Sequence, residues 1–187
     1  KIKLIHNPSS GRQNTEKTLE LVKKAVKERG IRYVVVATSR GKTGVMAKNA
    51  DLGANLVCVT HAAGFEEPGV IEVPEDIRQE LIDSGVKVLT TTHVLSGAER
   101  GMSRKFGGVY PVEIIANTLR MLGQGTKVCV EISVMALDAG LIPYGEDVIA
   151  VGGTDEGADT AIILRPAHAA DIFDTWISEI LCKPAYK

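Results

Sequence analysis

Two continuous β-branched runs, Tyr33–Ala37 (YVVVA) and Asn55–Val59 (NLVCV), enclose a segment, Thr43–Leu52, whose apolar positions Val45, Met46 and Leu52 suit a helix. A strand that is apolar at every position has no polar face to give to water, so it must be covered on both sides, the pattern of a parallel sheet. Two parallel neighbours need a crossover between them, and the intervening helix supplies it. This βαβ unit commits the chain to an α/β fold, expected here as a three-layer α/β/α arrangement with a mostly parallel sheet and right-handed connections.

The same alternation extends in both directions. Upstream, Leu19, Val22 and Val26 keep helical spacing, with Asn14 or Thr15 as the expected cap and Gly30 where a left-handed C-cap ends such a helix. Downstream, Pro74 introduces a helix over Glu75–Ser84, a strand follows at Lys87–Thr91, and helices are predicted at Pro111–Leu122 and Thr126–Gly140. The last of these is apolar almost all round, which predicts burial; within it Glu131 and Asp138 share a face and need partners, with Lys127 one turn before Glu131 and a loop bearing Arg100 or Arg104 as the candidates. Strands at Asp147–Val151 and Thr160–Leu164 return to the sheet, Ile177–Leu181 is expected at its edge, and Lys1–Ile5 alternates like a further short strand. No repeat or low-complexity linker interrupts the order, so residues 1–187 read as one domain with one core.

Charge and cysteine usage narrow the function. The 22 Lys and Arg nearly balance 23 Asp and Glu, leaving no basic field to hold nucleic acid or an anionic membrane surface. The longest apolar stretch, Val128–Leu137, is interrupted by Glu131 and falls well short of the roughly 20 residues a bilayer span requires. Cys58, Cys129 and Cys182 lie among apolar neighbours without zinc or disulfide spacing, and no basic-then-apolar leader follows Lys1. Reduced, buried thiols in a cytoplasmic protein are therefore expected. His6, His61, His93 and His168 show no HxH or HExxH spacing, so no metal is expected; self-association is left open, homo-oligomers being common.

In an open parallel sheet ligands bind beyond the carboxyl ends of the strands, and here the strand exits share a chemistry: Thr38-Ser39, Thr60-His61, Thr92-His93 and Gly152-Gly153-Thr154. Small hydroxyls at such exits commonly cap the next helix, and each alone needs no ligand. The segment Thr38-Ser39-Arg40-Gly41-Lys42-Thr43-Gly44 is stronger, because hydroxyls, two cations and the free N–H groups of a helix start together suit a phosphate. It is not a nucleoside-triphosphate loop, which would need glycine where Val36 stands, and the glycines after Gly152 do not open a helix as a dinucleotide fingerprint requires. The Ser96–Gly108 stretch mixes three cations with small residues and reads as a mobile anion-binding lid or a solvated loop.

The strand–TSRGKTG–helix–NLVCV run resembles the effector-binding C-terminal domain of pyruvate kinases, and GEDVIAVGGTDEGADTAIIL resembles that domain's closing hairpin. Through QNTEKTLEL, THAAGF, LSGAERGMSRKFGG, KVCVEISVMALDAGLIP and GGTDEGADTA with RPAH, nearly the whole chain is similar to the family of stand-alone pyruvate kinase α/β domain proteins. That resemblance implies flavin mononucleotide as ligand, with Thr38, Ser39, Gly41, Lys42 and Thr43 around its phosphate. It also implies His61, Ala62, Gly97, Arg100, Gly101, Gly153, Thr154, Gly157 and Ala158 near the ribityl chain and ring. A flavin-dependent oxidoreductase of unknown substrate is the implied enzyme; a sensor of a sugar phosphate, or a regulatory module acting through an apolar edge at Ile172–Leu181, are the alternatives. Pyruvate kinase activity is not expected, because its barrel of roughly 250 residues has no room in this chain.

Overall fold

The computed structural model describes residues 5–186. In chain order the elements are β1 (Ile5–Asn7), α1 (Thr15–Arg29), β2 (Tyr33–Ala37), α2 (Lys42–Asn49), β3 (Asn55–Val59), α3 (Glu75–Asp83), β4 (Lys87–Leu89), α4 (Gly97–Phe106), α5 (Pro111–Arg120), α6 (Gln124–Asp138), β5 (Val148–Gly152), β6 (Thr160–Arg165) and β7 (Trp176–Pro184).

The strands form one sheet in the order β1-β7-β6-β5-β2-β3-β4. All pairs are parallel except those of β6, which runs antiparallel to both neighbours, β5 and β7. Successive side chains of a strand point to opposite faces, and β2 shows what this does to the core. Val34 and Val36 pack with Val22 and Val26 of α1 and Ala47 of α2, and α3 extends that layer by placing Leu81 on Cys58. Val35 faces the other way, toward Cys129, Ile132 and Ala136 of α6. The mostly parallel α/β/α sandwich expected from the apolar runs is the observed architecture.

Helix α6 lies against the sheet as its continuous burial predicts: from Gly125 to Leu137 every residue but Val128 is buried. Its polar side chains are satisfied within the protein. Ser133 Oγ donates to the Cys129 carbonyl (2.8 Å), and Lys127 forms an ion pair with Glu131, whose carboxylate also accepts the Leu95 N–H (2.9 Å). The expected partner of Glu131 is thus the real one. Asp138 is not buried beside it; at the end of the helix its side chain is 39 % exposed and meets His168 Nδ1 (2.6 Å).

Three other expectations are corrected. Ser96–Gly108 is not a lid loop: its Ala, Glu, Arg, Met and Lys are good helix formers, and glycines with positive φ at 97 and 107 bracket α4 rather than dissolve it. Ser103 Oγ on Glu113 (2.6 Å) and the Val112 N–H on Glu99 (2.8 Å) fasten α4 to α5. The final strand is longer than Ile177–Leu181 and lies between β6 and β1, because the three-residue β1 pairs with Cys182–Pro184. The strand expected at Lys1–Ile5 lies outside the described residues except for Ile5, which opens β1. Asn14 stands at the N-cap of α1, but neither it nor Thr15 makes a side-chain capping bond: Asn14 Nδ2 donates to the Ser9 carbonyl (2.8 Å) and Thr15 Oγ1 accepts the Ala158 N–H (3.0 Å), while Gly30 does close the helix in the left-handed conformation.

The connections diverge between β2 and β5. From β2 the chain passes through α2 to β3; β5, on the other side of β2, arrives from α6 on the opposite face of the sheet. Such a switch point opens a crevice beyond the carboxyl ends of the two strands.

Candidate functional site

A cleft of about 470 Å³ occupies that crevice. Its first wall is the Thr38–Thr43 turn. Thr38 Oγ1 accepts the Gly44 N–H (3.2 Å), so this hydroxyl organises the first turn of α2. The N–H groups of Lys42 and Thr43 find no acceptor among the described residues. Gly41 has a positive φ of 87° and sits so close to α3 that a Cβ there would stand 2.4 Å from Ile77 Cγ2.

The second wall is the Gly152–Asp159 turn, held by a buried carboxylate. Asp159 accepts the Gly11 N–H (2.9 Å), the Thr154 N–H (3.2 Å) and the Thr160 hydroxyl (2.7 Å). Its carbonyl accepts from Asn7 Nδ2 (2.7 Å), so the turn is tied to the start of the chain. Gly153 and Gly157 permit close backbone approach: a Cβ at Gly153 would meet the Gly157 carbonyl oxygen at 2.4 Å.

The ends of β3 and β4 contribute imidazoles. His61 Nδ1 lies 2.9 and 3.1 Å from the two oxygens of Glu72, and its ring stacks on Phe65 with centroids 4.0 Å apart. His93 stands edge-on to His61 at 5.6 Å, its Nε2 lying 3.4 Å from the Thr60 carbonyl. Burial pushes His93 below the ordinary 6.5, against the raising pull of Glu131 and the Thr60 hydrogen bond, with His61 and Lys127 adding to the fall. Between the lowered value and 6.5 the unfolded chain binds the proton that the folded chain refuses, so stability rises with pH through that window. The melting temperature is expected to drop as pH is lowered through 6.5, and His93→Gln to flatten that part of the profile; an equally steep variant would remove His93 as the cause.

Arg100, Arg120, Gln124 and Lys127 complete the cleft from the α4–α6 side. Lys127 is pushed down by burial, held up in part by Glu131, and pushed further down by Arg120 and Arg100. Across the cleft Arg40 lies between Glu156 (3.4 Å) and Glu66 (3.5 Å). The three cysteines are free and buried, and burial alone pushes Cys58 up to about 12, so the thiols are inert packing groups. Among the described residues no group of three or more His, Cys, Asp and Glu is placed to hold a metal ion, and no helix is long and apolar enough to cross a membrane.

The structure brings Thr38, Ser39, Thr43, His61, Arg100, Gly153 and Gly157 together on this cleft, while Lys42 lines an adjoining hollow of about 180 Å³ that shares the same turn. Gly41, Ala62, Gly97, Gly101, Thr154 and Ala158 do not line it; Gly41 and the fully buried Ala158 serve packing, and Thr154 serves the Asp159 clamp. Sequence reasoning missed Phe65, Glu72, Arg120 and Gln124, and it read Lys127 and Glu131 as a support rather than as cleft residues. For the last group a signal was present: Gln124, Lys127 and Glu131 follow an i, i+3, i+7 stripe along a mostly apolar helix.

Fold and cleft together define an open, mostly parallel α/β domain with its cleft at the carboxyl ends of the strands. The model of the family described as "Pyruvate kinase, alpha/beta domain" matches residues 16–164, and the chain belongs to that family. Among solved structures it is similar to a Cryptosporidium parvum pyruvate kinase at 15 % identity and a TM-score of 0.44, over 80 % of this chain and 22 % of that one. A Cryptosporidium parvum pyruvate kinase in complex with ADP matches at 16 % identity and a TM-score of 0.40, over 79 % of this chain and 22 % of that one. The chain spans about a fifth of the length of these enzymes.

Proposed function

We propose that the cleft binds a phosphorylated small molecule, flavin mononucleotide first among the candidates, with the phosphate at the Thr38–Thr43 turn. The observation that carries this reading is the conjunction of two helix-start N–H groups without an acceptor among the described residues and the hydroxyls of Ser39 and Thr43 at one end of a cleft of about 470 Å³, within the range of small-molecule sites, with the Lys42 ammonium on the adjoining hollow that shares the same turn. Flavin suits the rest of the cleft in one respect: the stacked His61–Phe65 pair offers ring faces. A bound flavin would supply electron-transfer chemistry. The chain's own residues would position it, with His61 oriented by its contact with Glu72 and the α4–α6 cations lining the far wall.

The cleft is lined mostly by polar side chains and holds one aromatic ring apart from its histidines, which also favours a sugar phosphate read by a non-catalytic sensor. One experiment separates the two. The full chain is expected to keep a flavin absorbance band after flavin mononucleotide is added and the protein desalted, and Lys42→Ala to weaken binding about tenfold, a modest loss because the side chain is exposed. No retained band, with thermal stabilisation by a sugar phosphate, would replace flavin with the sensor reading; indifference to both would refute phosphate binding.

A further inference from the structure

Three successive helices each place one cation on the wall of the cleft opposite the Thr38–Thr43 turn: Arg100 from α4, Arg120 from the last residue of α5, and Lys127 from the first turn of α6. Five carboxylates line the cleft, and four of them have partners elsewhere: Glu66 and Glu156 lie on Arg40, Glu72 on His61 and Glu131 on Lys127, while Asp155 sits on the Gly152–Asp159 turn. The other acids of these helices are engaged elsewhere, Glu99 by the Val112 N–H and Glu113 by Ser103 Oγ. Among the described residues neither arginine has a carboxylate partner; Arg120 donates only to the neutral Gln124 Oε1 (2.7 Å) and Asn117 Oδ1 (3.1 Å). Two guanidiniums without a carboxylate partner on one concave wall gain from an anion, and their planar forks suit a carboxylate or phosphate.

We propose that Arg100, Arg120 and Lys127 form a second anion subsite, which takes a carboxylate or phosphate group of a small organic acid lying across the cleft from the phosphate turn. The inference deepens the proposed function and rests on the cleft being a ligand site. Flavin mononucleotide carries a single phosphate, so the second subsite belongs to a further ligand, or to the other end of one that carries two anionic groups.

The test titrates the full chain with inorganic phosphate and, separately, with oxalate, by calorimetry. Wild-type protein is expected to take two equivalents of anion; Lys42→Ala weakens one, and the double variant Arg100→Gln/Arg120→Gln weakens the other about tenfold or more. Arg100→Lys/Arg120→Lys, which keeps the charge, retains measurable binding. Preference of the affected equivalent for phosphate or for oxalate identifies which group the subsite takes, and either preference supports it. Should the double variant fail to fold, the single Arg100→Gln, on a helix with no buried residue, carries the same test. Wild-type affinity for both anions in the arginine variants overturns the subsite. An effect of the arginine variants without any effect of Lys42→Ala would instead discard the phosphate turn and leave this wall standing.

Discussion

Glu131→Ala is expected to destabilise the fold by about 3–5 kcal/mol, the cost of leaving a buried charge without its partner. The Lys127 and Glu131 side chains are only 6 % and 5 % exposed, so water cannot replace the lost contact. The substitution also orphans the Leu95 N–H and with it the connection that brings the chain from β4 to α4. Denaturant unfolding measures the loss, and a change below about 1 kcal/mol would mean that the pair is solvated in solution. Removing both charges together, Lys127→Met/Glu131→Leu, is expected to cost far less, because no uncompensated ion remains. That double variant would also strip the far wall of one cation, separating the stability of α6 from the binding of anions.

Gly157→Ala is expected to cost about 2–4 kcal/mol, from overpacking and backbone strain together. A Cβ there would stand 2.4 Å from Arg12 Cα and 2.6 Å from Thr15 Oγ1, backbone and clamped hydroxyl that cannot swing aside, and φ is 83°. Gly108→Ala is the control: φ is 87° but nothing lies within 4 Å, so it should show the conformational penalty alone, about 1 kcal/mol. Thermal unfolding of both compares the two terms. Equal losses would mean that the Gly152–Asp159 turn relaxes away from the Gly11–Thr15 segment instead of being locked to it.

The layered architecture was legible because it depends on local pattern. Val34–Val36 and Val57–Val59 carry no polar residue, and only two-sided coverage tolerates that. The Thr38–Thr43 turn was legible as one wall of the cleft for a similar reason, its polar residues being contiguous in sequence. The His61–Glu72–Phe65 group was not, since it forms within an aperiodic segment whose folding back is set by contacts rather than by spacing. The far wall was legible only in part: Arg100 was expected at the site, but Arg120 and Lys127 lie on other helices, and only packing angles decide that they share its concavity. Ser96–Gly108 shows the hazard of reading glycine content as flexibility, because its flanking glycines mark where a helix begins and ends.

The pairing of β1 with β7 joins Ile5 to Cys182, the most distant partners in the sheet. Closing so large a span costs chain entropy before any neighbouring contact rewards it. The βαβ core from Tyr33 to Val59 closes a far shorter one. Folding should therefore proceed from the middle of the sheet outward, with the β1 seam sealed last; and because Asn7 and Gly11 grip Asp159 only once that seam has formed, the Gly152–Asp159 turn would acquire its shape at the final stage.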